Sequence, residues 1–256
     1  MSESANRAGV QSQTSATLVA RLQRRRGDYG FDAPAVPVSF IVVGVALLVL
    51  AALFSWWIAL PGVVFLLCAA SYLYTTRAGK FYVWARLLAR LGLRGDEHVL
   101  DLGCGRGAVL LMAARLLPEG KAVGVDLWQT RDQSGNALAA TQRNAEREGV
   151  AGRVELFTAD LRTLPFADAS FDVVLSSLAI HNIHGPGERE KAIDEAMRVL
   201  KPGGRLLIAD INATGAYAER LRQRGMSDIQ RRGLGWRFWY GGPWVAAVAL
   251  SARKPV

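Results

Sequence analysis

Cysteine is nearly absent: there are two in 256 residues, Cys68 within an apolar run and Cys104 within a glycine turn. Neither context offers a disulfide framework or a metal cluster, so a reducing compartment and no metal site are expected. Histidine is also scarce, at three. Acid is outnumbered, with 22 Asp and Glu against 31 Lys and Arg, a net charge of +9. A surplus of that sign calls for an anionic neighbour: acidic lipid, nucleic acid or an anionic substrate. Between Val36 and Tyr74 charge is missing altogether. One unbroken helix of that length would be about 58 Å long, roughly twice the hydrocarbon thickness of a bilayer.

Two membrane spans joined by a turn fit that run better. They are placed at Val36–Leu53 and Ile58–Tyr74, with Phe54-Ser55-Trp56-Trp57 at the turn, where tryptophans favour the interface. The run is too long, and too far from the start, for a cleaved signal peptide. Arg21, Arg24, Arg25 and Arg26 precede the hairpin, and Arg77, Lys80 and Arg86 follow it. By the positive-inside rule both flanks, and the domain behind them, are cytoplasmic. Residues 1 to about 17 hold too little apolar surface to fold, so 1–35 is expected as a disordered, basic lead-in, with 36–75 as the hairpin and 76–256 as a separate domain. Thr75 to Leu93 continues as a helix with Phe81, Trp84, Leu87, Leu88 and Leu91 on one side and Arg86 and Arg90 on the other. It lies on the headgroups, packs against a sheet, or does both at different ends.

After Gly92 strands and helices alternate. Strands are predicted at His98–Gly103, Lys121–Leu127, Arg153–Asp160, Phe171–Ala179 and Arg205–Ile211. Helices are predicted at Arg106–Leu117, Gln133–Glu148, Gly187–Leu200 and Gly215–Arg224. Such alternation makes a parallel sheet with helices on both faces. At the end, Asp228–Tyr240 and Trp244–Arg253 are joined by Gly241-Gly242-Pro243, too short for a crossover helix, so they pair as an antiparallel hairpin. The expected fold is therefore α/β: seven strands, with two apolar helices in front.

The most informative stretch is Val99-Leu100-Asp101-Leu102-Gly103-Cys104-Gly105-Arg106-Gly107, a strand running into a glycine turn. Ligands of open α/β sheets bind outside the carboxyl ends of the strands. Gly103, Gly105 and Ala108 can be fitted to a dinucleotide pattern, with Asp126 about twenty residues on. A carboxylate at Asp101, however, would repel a pyrophosphate and suit an ammonium. This stretch resembles the first motif of the class I S-adenosylmethionine-dependent methyltransferases. Val123-Gly124-Val125-Asp126-Leu127, Thr158-Ala159-Asp160-Leu161, Leu164-Pro165-Phe166 through Val174, and Leu200-Lys201-Pro202-Gly203-Gly204 resemble later family stretches in order and spacing. The resemblance covers about residues 80–256, lies nearest the ubiquinone/menaquinone biosynthesis methyltransferases, and leaves the hairpin outside it. It implies a Rossmann-like fold and S-adenosylmethionine as cofactor. The implied contacts are Asp101, Gly103, Cys104, Gly105 and Gly107 at the turn, Asp126 on the ribose, Asp160 and Leu161 at the adenine, and Leu127 or Trp128 on its face. Ser176 opens the loop beside the methionyl end, while Asp172 is structural.

Methyl transfer needs a general base only if the acceptor loses a proton. His181 is the candidate, with His184 weaker, and Asp210, Asn212 and Tyr217 could line an acceptor pocket. The expected function is a membrane-anchored methyltransferase acting on a small, lipophilic acceptor, with acidic headgroups as the anionic neighbour. A non-catalytic S-adenosylmethionine-binding or scaffold protein is the alternative. A nicotinamide-dependent oxidoreductase is disfavoured by Asp101, and no nucleic-acid partner is expected.

Overall fold

The computed structural model describes residues 16–256. The expectation for the extreme N-terminus therefore falls, for 1–15, outside the described residues. Helix α1 covers residues 16–23, followed by an extended strap to Pro34. Helix α2 (Ala35–Leu53), a short 3-10 turn (Trp56–Ile58) and helix α3 (Ala59–Tyr74) form the apolar hairpin. Helix α3 passes through one π-helical turn (Thr75–Gly79) straight into α4 (Lys80–Leu91), which ends at Gly92 in the left-handed conformation. By length and composition α2 and the continuous helix Trp56–Leu91 could each cross a membrane. At 19 residues α2 is about 28 Å long, close to the thickness of a bilayer's hydrocarbon core. The hairpin closes at a pair of glycines: a Cβ on Gly44 would stand 2.8 Å from Leu66 and 3.1 Å from the Gly62 carbonyl. Small residues at such a crossing let two helix backbones approach closely.

The sheet runs β3-β2-β1-β4-β5-β7-β6. Its strands are β1 (His98–Leu102), β2 (Lys121–Asp126), β3 (Val154–Thr158), β4 (Phe171–Ser177), β5 (Leu200–Asp210), β6 (Ser227–Gly233) and β7 (Val248–Arg253). The first five are parallel, and β7 is antiparallel to both neighbours. Order reverses between β1 and β4, so the crevice at their carboxyl ends is the place for a ligand. Helices α5 (Leu110–Ala114), α6 (Leu138–Glu148), α7 (Pro186–Val199) and α8 (Thr214–Gln223) cover the faces. Alternation along the strands separates two cores. Val99 and Val173 pack with Trp84 and Leu88 of α4 and Leu111 of α5 on one side, while Leu100 and Val174 pack with Ile193 of α7 and Leu221 of α8 on the other. The α4 segment packs its apolar face on the sheet: Phe81, Trp84 and Leu88 are buried there, and Arg86 and Arg90 are exposed on the opposite face. Asp172 accepts from His98 N (2.9 Å) and Lys201 Nζ (2.8 Å), tying β1 to β5 away from the crevice.

Four expectations need correction. The described part of the N-terminal lead-in is packed rather than loose. Leu22 is buried, and Glu148 Oε1 accepts from Arg26 N (2.7 Å), Gly27 N (2.9 Å) and the Tyr29 hydroxyl (2.9 Å). Helix α5 is five residues long, not twelve-odd, because Gly105 and Gly107 hold positive φ before it. It ends where Leu116 N and Leu117 N bond only three residues back. Helix α6 starts at Leu138 because Gln133 and Ser134 bond to the strap instead of continuing the helix: Ser134 N donates to Phe31 O (2.8 Å) and Gln133 bridges to Asp32. The C-terminal pairing is as expected, but β6 stops at Gly233. Gly241-Gly242-Pro243 is the tip of a long loop over 234–247, held by Tyr240 N to Val245 O (2.9 Å) and a bridge between Trp239 and Ala246.

Candidate active site

The strand ends open into a cavity of about 610 Å³, roofed by the strap, α4 and the 234–247 loop. Asp101 lies in its wall, 1% exposed, and its Oδ1 has no hydrogen-bond partner. Burial pushes this carboxyl up to about 8; the Asp126 charge adds to the shift and the Leu110 backbone N–H opposes it. A buried acid oxygen without a donor is costly, and such sites are held ready for a ligand more often than wasted.

The glycine turn that follows is committed to its own protein. Gly103 N and Cys104 N donate to Val125 O (2.8 and 3.1 Å), Gly105 N to Asp126 Oδ2 (2.8 Å) and Arg106 N to Gln133 Oε1 (2.7 Å). A phosphate nest works through free backbone N–H groups at such a turn, and these four are taken. Gly103 can hold its φ of +69° and sit against Ala179 only without a side chain, since a Cβ would lie 2.1 Å from that of Ala179. The Cys104 thiol is pushed up by burial and by the two neighbouring acids, so it stays protonated.

Asp126 also accepts from Trp128 N (2.5 Å) and Asn136 Nδ2 (3.2 Å), so of four acceptor positions one is open. Burial raises its pKa, against those three donors. Leu127 lines the cavity, while the Trp128 indole turns away to donate to Thr158 Oγ1 (2.7 Å). Asp160 lines the cavity as well, but Arg162 grips it through Nε (2.9 and 3.0 Å) and its own backbone N (2.9 Å). That hydrogen bonding lowers the Asp160 pKa below its ordinary value.

Sequence reasoning brings Asp101, Gly103, Cys104, Gly105, Asp126, Leu127, Asp160, Leu161, His181 and His184 to this one cavity. Gly107 shapes the turn behind it. Ser176 is on the wrong face: it shares that face with Val174, and its hydroxyl donates to Leu102 O (3.0 Å). Its neighbour Ser177 reaches the cavity and accepts from Trp84 Nε1 (2.8 Å). A strand inverts its side chains at every residue, so one position decides this. Asp210 and Tyr217 sit behind the wall, buried, and Asn212 caps its own chain by accepting from Ala213 N (2.7 Å). Asp210 Oδ1 lies 2.6 Å from His181 Nδ1, out of line for a well-formed hydrogen bond, and its Oδ2 accepts from His181 N (3.2 Å). The imidazole is thus backed by a fully buried carboxylate.

A second cluster in the same cavity escaped the sequence reading. Asp32 of the strap pairs with Lys80 of α4 through both oxygens (2.7 and 2.8 Å), and both side chains are largely buried. It also accepts from the Tyr240 hydroxyl (2.8 Å), Gln133 Nε2 (3.3 Å) and Thr76 Oγ1 (3.3 Å). One signal could have found it: Lys80, Trp84 and Leu88 stand four apart, which puts a lysine on the apolar face of its helix.

The methyltransferase-domain family profile matches residues 99–204. A ubiquinone/menaquinone biosynthesis C-methyltransferase of Pseudomonas fluorescens is 34% identical over 136 residues, 52% of this chain and 50% of that protein. The chain therefore spans about half the length of the curated relatives it matches. Among solved structures, the [4+2]-cyclase SpnF superposes with a TM-score of 0.54 at 24% identity, covering 73% of this chain and 82% of that one. A geranyl diphosphate C-methyltransferase from Streptomyces coelicolor, solved with S-adenosyl-L-homocysteine, gives 0.54 at 17% identity, over 67% and 79%. One of these two folds is named for a cyclisation, so fold by itself does not choose the chemistry. The profile, the relatives and the strand order agree: residues 99–204 match a methyltransferase domain, and the sheet that carries them has the fold of S-adenosylmethionine-dependent methyltransferases.

Proposed function

We propose that the chain is a membrane-anchored methyltransferase that moves a methyl group from S-adenosylmethionine to a small, lipophilic acceptor. The observation that carries the cofactor assignment is the unpaired Oδ1 of buried Asp101. S-adenosylmethionine has an ammonium, two ribose hydroxyls, an adenine and no phosphate, and the cavity offers open carboxylate acceptors for the ammonium and for one hydroxyl. Asp101 would take the ammonium, the open position on Asp126 a ribose hydroxyl, and Asp160, Leu161 and Leu127 the adenine. A second ribose hydroxyl on Asp126, or the adenine amine on Asp160, whose two oxygens already take four contacts from Arg162, would displace a present donor. When bound, the cofactor supplies an electrophilic methyl on a sulfonium.

What remains for the protein is alignment and exclusion of water. The strap, α4 and the 234–247 loop close the cavity above the strand ends, and Trp84 and Phe81 of α4 keep that cover apolar. For an acceptor that must lose a proton, His181 takes it at Nε2, because Nδ1 faces Asp210.

Membrane anchoring is supported by the exposed apolar surface of the hairpin, with Val42 61% and Leu53 69% exposed, and by Trp56 and Trp57 stacked at its turn. Arg25 donates to the Arg77 carbonyl, which is in keeping with both ends of the hairpin on one side. Arg21, Arg24, Arg26, Arg86 and Arg90 around that end would meet acidic headgroups. Lys80 does not join them, since it is held by Asp32.

Two measurements test the reading. The full chain in detergent should bind S-adenosylmethionine by calorimetry, and Asp126→Ala should weaken binding while the thermal transition survives; no binding by the wild type would end the proposal. In intact cells, a Ser55→Cys variant should react with a membrane-impermeant maleimide, and protection at that position would contradict the orientation.

A further inference from the structure

The cavity has two chemically different ends. Around Asp101, Asp126 and Asp160 it is acidic and built from strand ends. The far end is walled by Val36 and Phe40 of α2, Tyr72 of α3, Phe81 and Trp84 of α4, and Val245 of the 234–247 loop. All six lie outside residues 99–204, where the family profile matches. Val36 and Phe40 are one helical turn apart and face the cavity, while the same helix exposes Val38, Val42 and Val49 at 57%, 61% and 53%. One helix is therefore both a wall of the cavity and an apolar outer surface.

This apolar end contains one ion pair, Lys80 with Asp32, and the Lys80 ammonium also stands 5.5 Å from the centroid of the Phe81 ring. Lys80 is 5% exposed and lines the cavity, and two of its three N–H donors go to Asp32. Asp32 has nothing more to give: Lys80, Gln133, Tyr240 and Thr76 already supply more donors than its four acceptor positions. A buried ammonium with a spare donor gains from an oxygen that accepts, and it repels a cation.

We propose that this end of the cavity is the acceptor site and that it takes an amphiphile from the bilayer. Its apolar chain lies against Val36 and Phe40 at the base of α2, and its head presents a carbonyl, phenolic or anionic oxygen to Lys80. The fate of that head rests on the methyltransferase reading above; the site itself rests on the wall and the lysine. The apolar wall disfavours a water-soluble amine or sugar as acceptor.

The test is photolabelling of the full chain in phosphatidylcholine vesicles, with the labelled peptides mapped by mass spectrometry. The probe is a phenol bearing a long alkyl chain with a diazirine in it, compared with the same chain on a phenyl head. Label is expected on the peptides holding Val36–Phe40 and Tyr240–Val245. Val36→Trp and, separately, Val245→Trp should each lower it about tenfold by overfilling the wall, with S-adenosylmethionine binding retained as proof of folding. The phenol should label about tenfold more than the phenyl probe, the size of one charge-assisted hydrogen bond. Label confined to outward residues such as Val42 and Leu53, and indifferent to both variants, overturns the site. Equal labelling by the two heads overturns the role of Lys80. Asp101→Asn keeps the two readings apart, since it should weaken cofactor binding at least tenfold and leave the label in place. A wild type that is labelled but never binds S-adenosylmethionine refutes the methyltransferase reading alone, and one that binds it but is not labelled refutes the acceptor site alone.

Discussion

Asp101 should make cofactor binding release a proton. Its carboxyl is held up to about 8 in the free protein, chiefly by burial, so at pH 7 it is mostly protonated. To pair with an ammonium it must ionise, and ionisation is suppressed tenfold for each unit below its pKa, 1.36 kcal/mol per unit. Affinity for S-adenosylmethionine should therefore rise from pH 6 towards pH 8, by at most roughly fiftyfold, and fall again above that as the cofactor's own α-ammonium loses its proton. Calorimetry in buffers of different ionisation enthalpy should show close to one proton released at pH 7. Asp126 shares the cavity and is also raised, but its three protein donors favour the charged form, so it contributes less. Asp101→Asn should flatten the profile, remove the proton release and weaken binding at pH 8 by about 1.5–3 kcal/mol, the strength of a hydrogen bond to a charged group. The free protein carries the opposite dependence. Between the ordinary carboxylate range and about pH 8 the unfolded chain has lost this proton and the folded one keeps it, so stability falls as pH rises through that window and is level above it. Asp101→Asn should remove that slope from the thermal transition. Binding with no proton uptake or release, unchanged in Asp101→Asn, would refute the pairing of this carboxylate with the cofactor's ammonium.

Three further outcomes follow from the geometry. Asp32→Asn or Lys80→Met leaves one buried charge alone and should destabilise by about 3–5 kcal/mol in thermal or denaturant unfolding, with the double variant recovering much of the loss. His181→Asn should leave the Kd for S-adenosylmethionine unchanged and, for an acceptor that loses a proton, lower kcat by roughly 10²–10⁴-fold; a normal kcat would assign proton removal elsewhere. Gly44→Leu forces a side chain against Leu66 and the Gly62 carbonyl and should cost about 1–3 kcal/mol, read as a lower Tm of the detergent-solubilised chain, whereas the same change at exposed Val42 should be nearly neutral.

Local patterns carried most of what was legible. The strand ends, glycine turn and acids of the cofactor side are short stretches whose residues act next to their neighbours in sequence, so Asp101, Asp126 and Asp160 could be read without a fold. The uncharged run gave the two helices because length and composition suffice for them. What failed depends on register or on distant partners. Ser176 and Ser177 differ only in which face of β4 they take. The start of α6 is decided by the bonds that Gln133 and Ser134 make to the distant strap. The strap is the largest omission: its residues look like polar lead-in by composition, yet Asp32 finds Lys80, Gln133 and Tyr240 only after the chain has folded around it. Two of those partners are themselves unremarkable in sequence. Only the lysine on an apolar helix face carried a local hint.

That strap gives the molecule its particular character. It joins the helix that leaves the hairpin, through Lys80, to the glycine turn, through Gln133 and the backbone of Arg106. The base of the hairpin and the floor of the cofactor site are therefore held by one hydrogen-bonded chain, and the acceptor wall stands between them.

The most direct measurement of the central claim is transfer of the label itself. Membranes and their lipid extract are incubated with the full chain and S-adenosylmethionine labelled in the methyl group, then extracted into organic solvent. The account predicts label in an organic-soluble product that is absent with no enzyme and falls at least tenfold with Asp101→Asn at a cofactor concentration below the variant's Kd. Wild-type protein that binds the cofactor yet yields no extractable label above the Asp101→Asn background would contradict it.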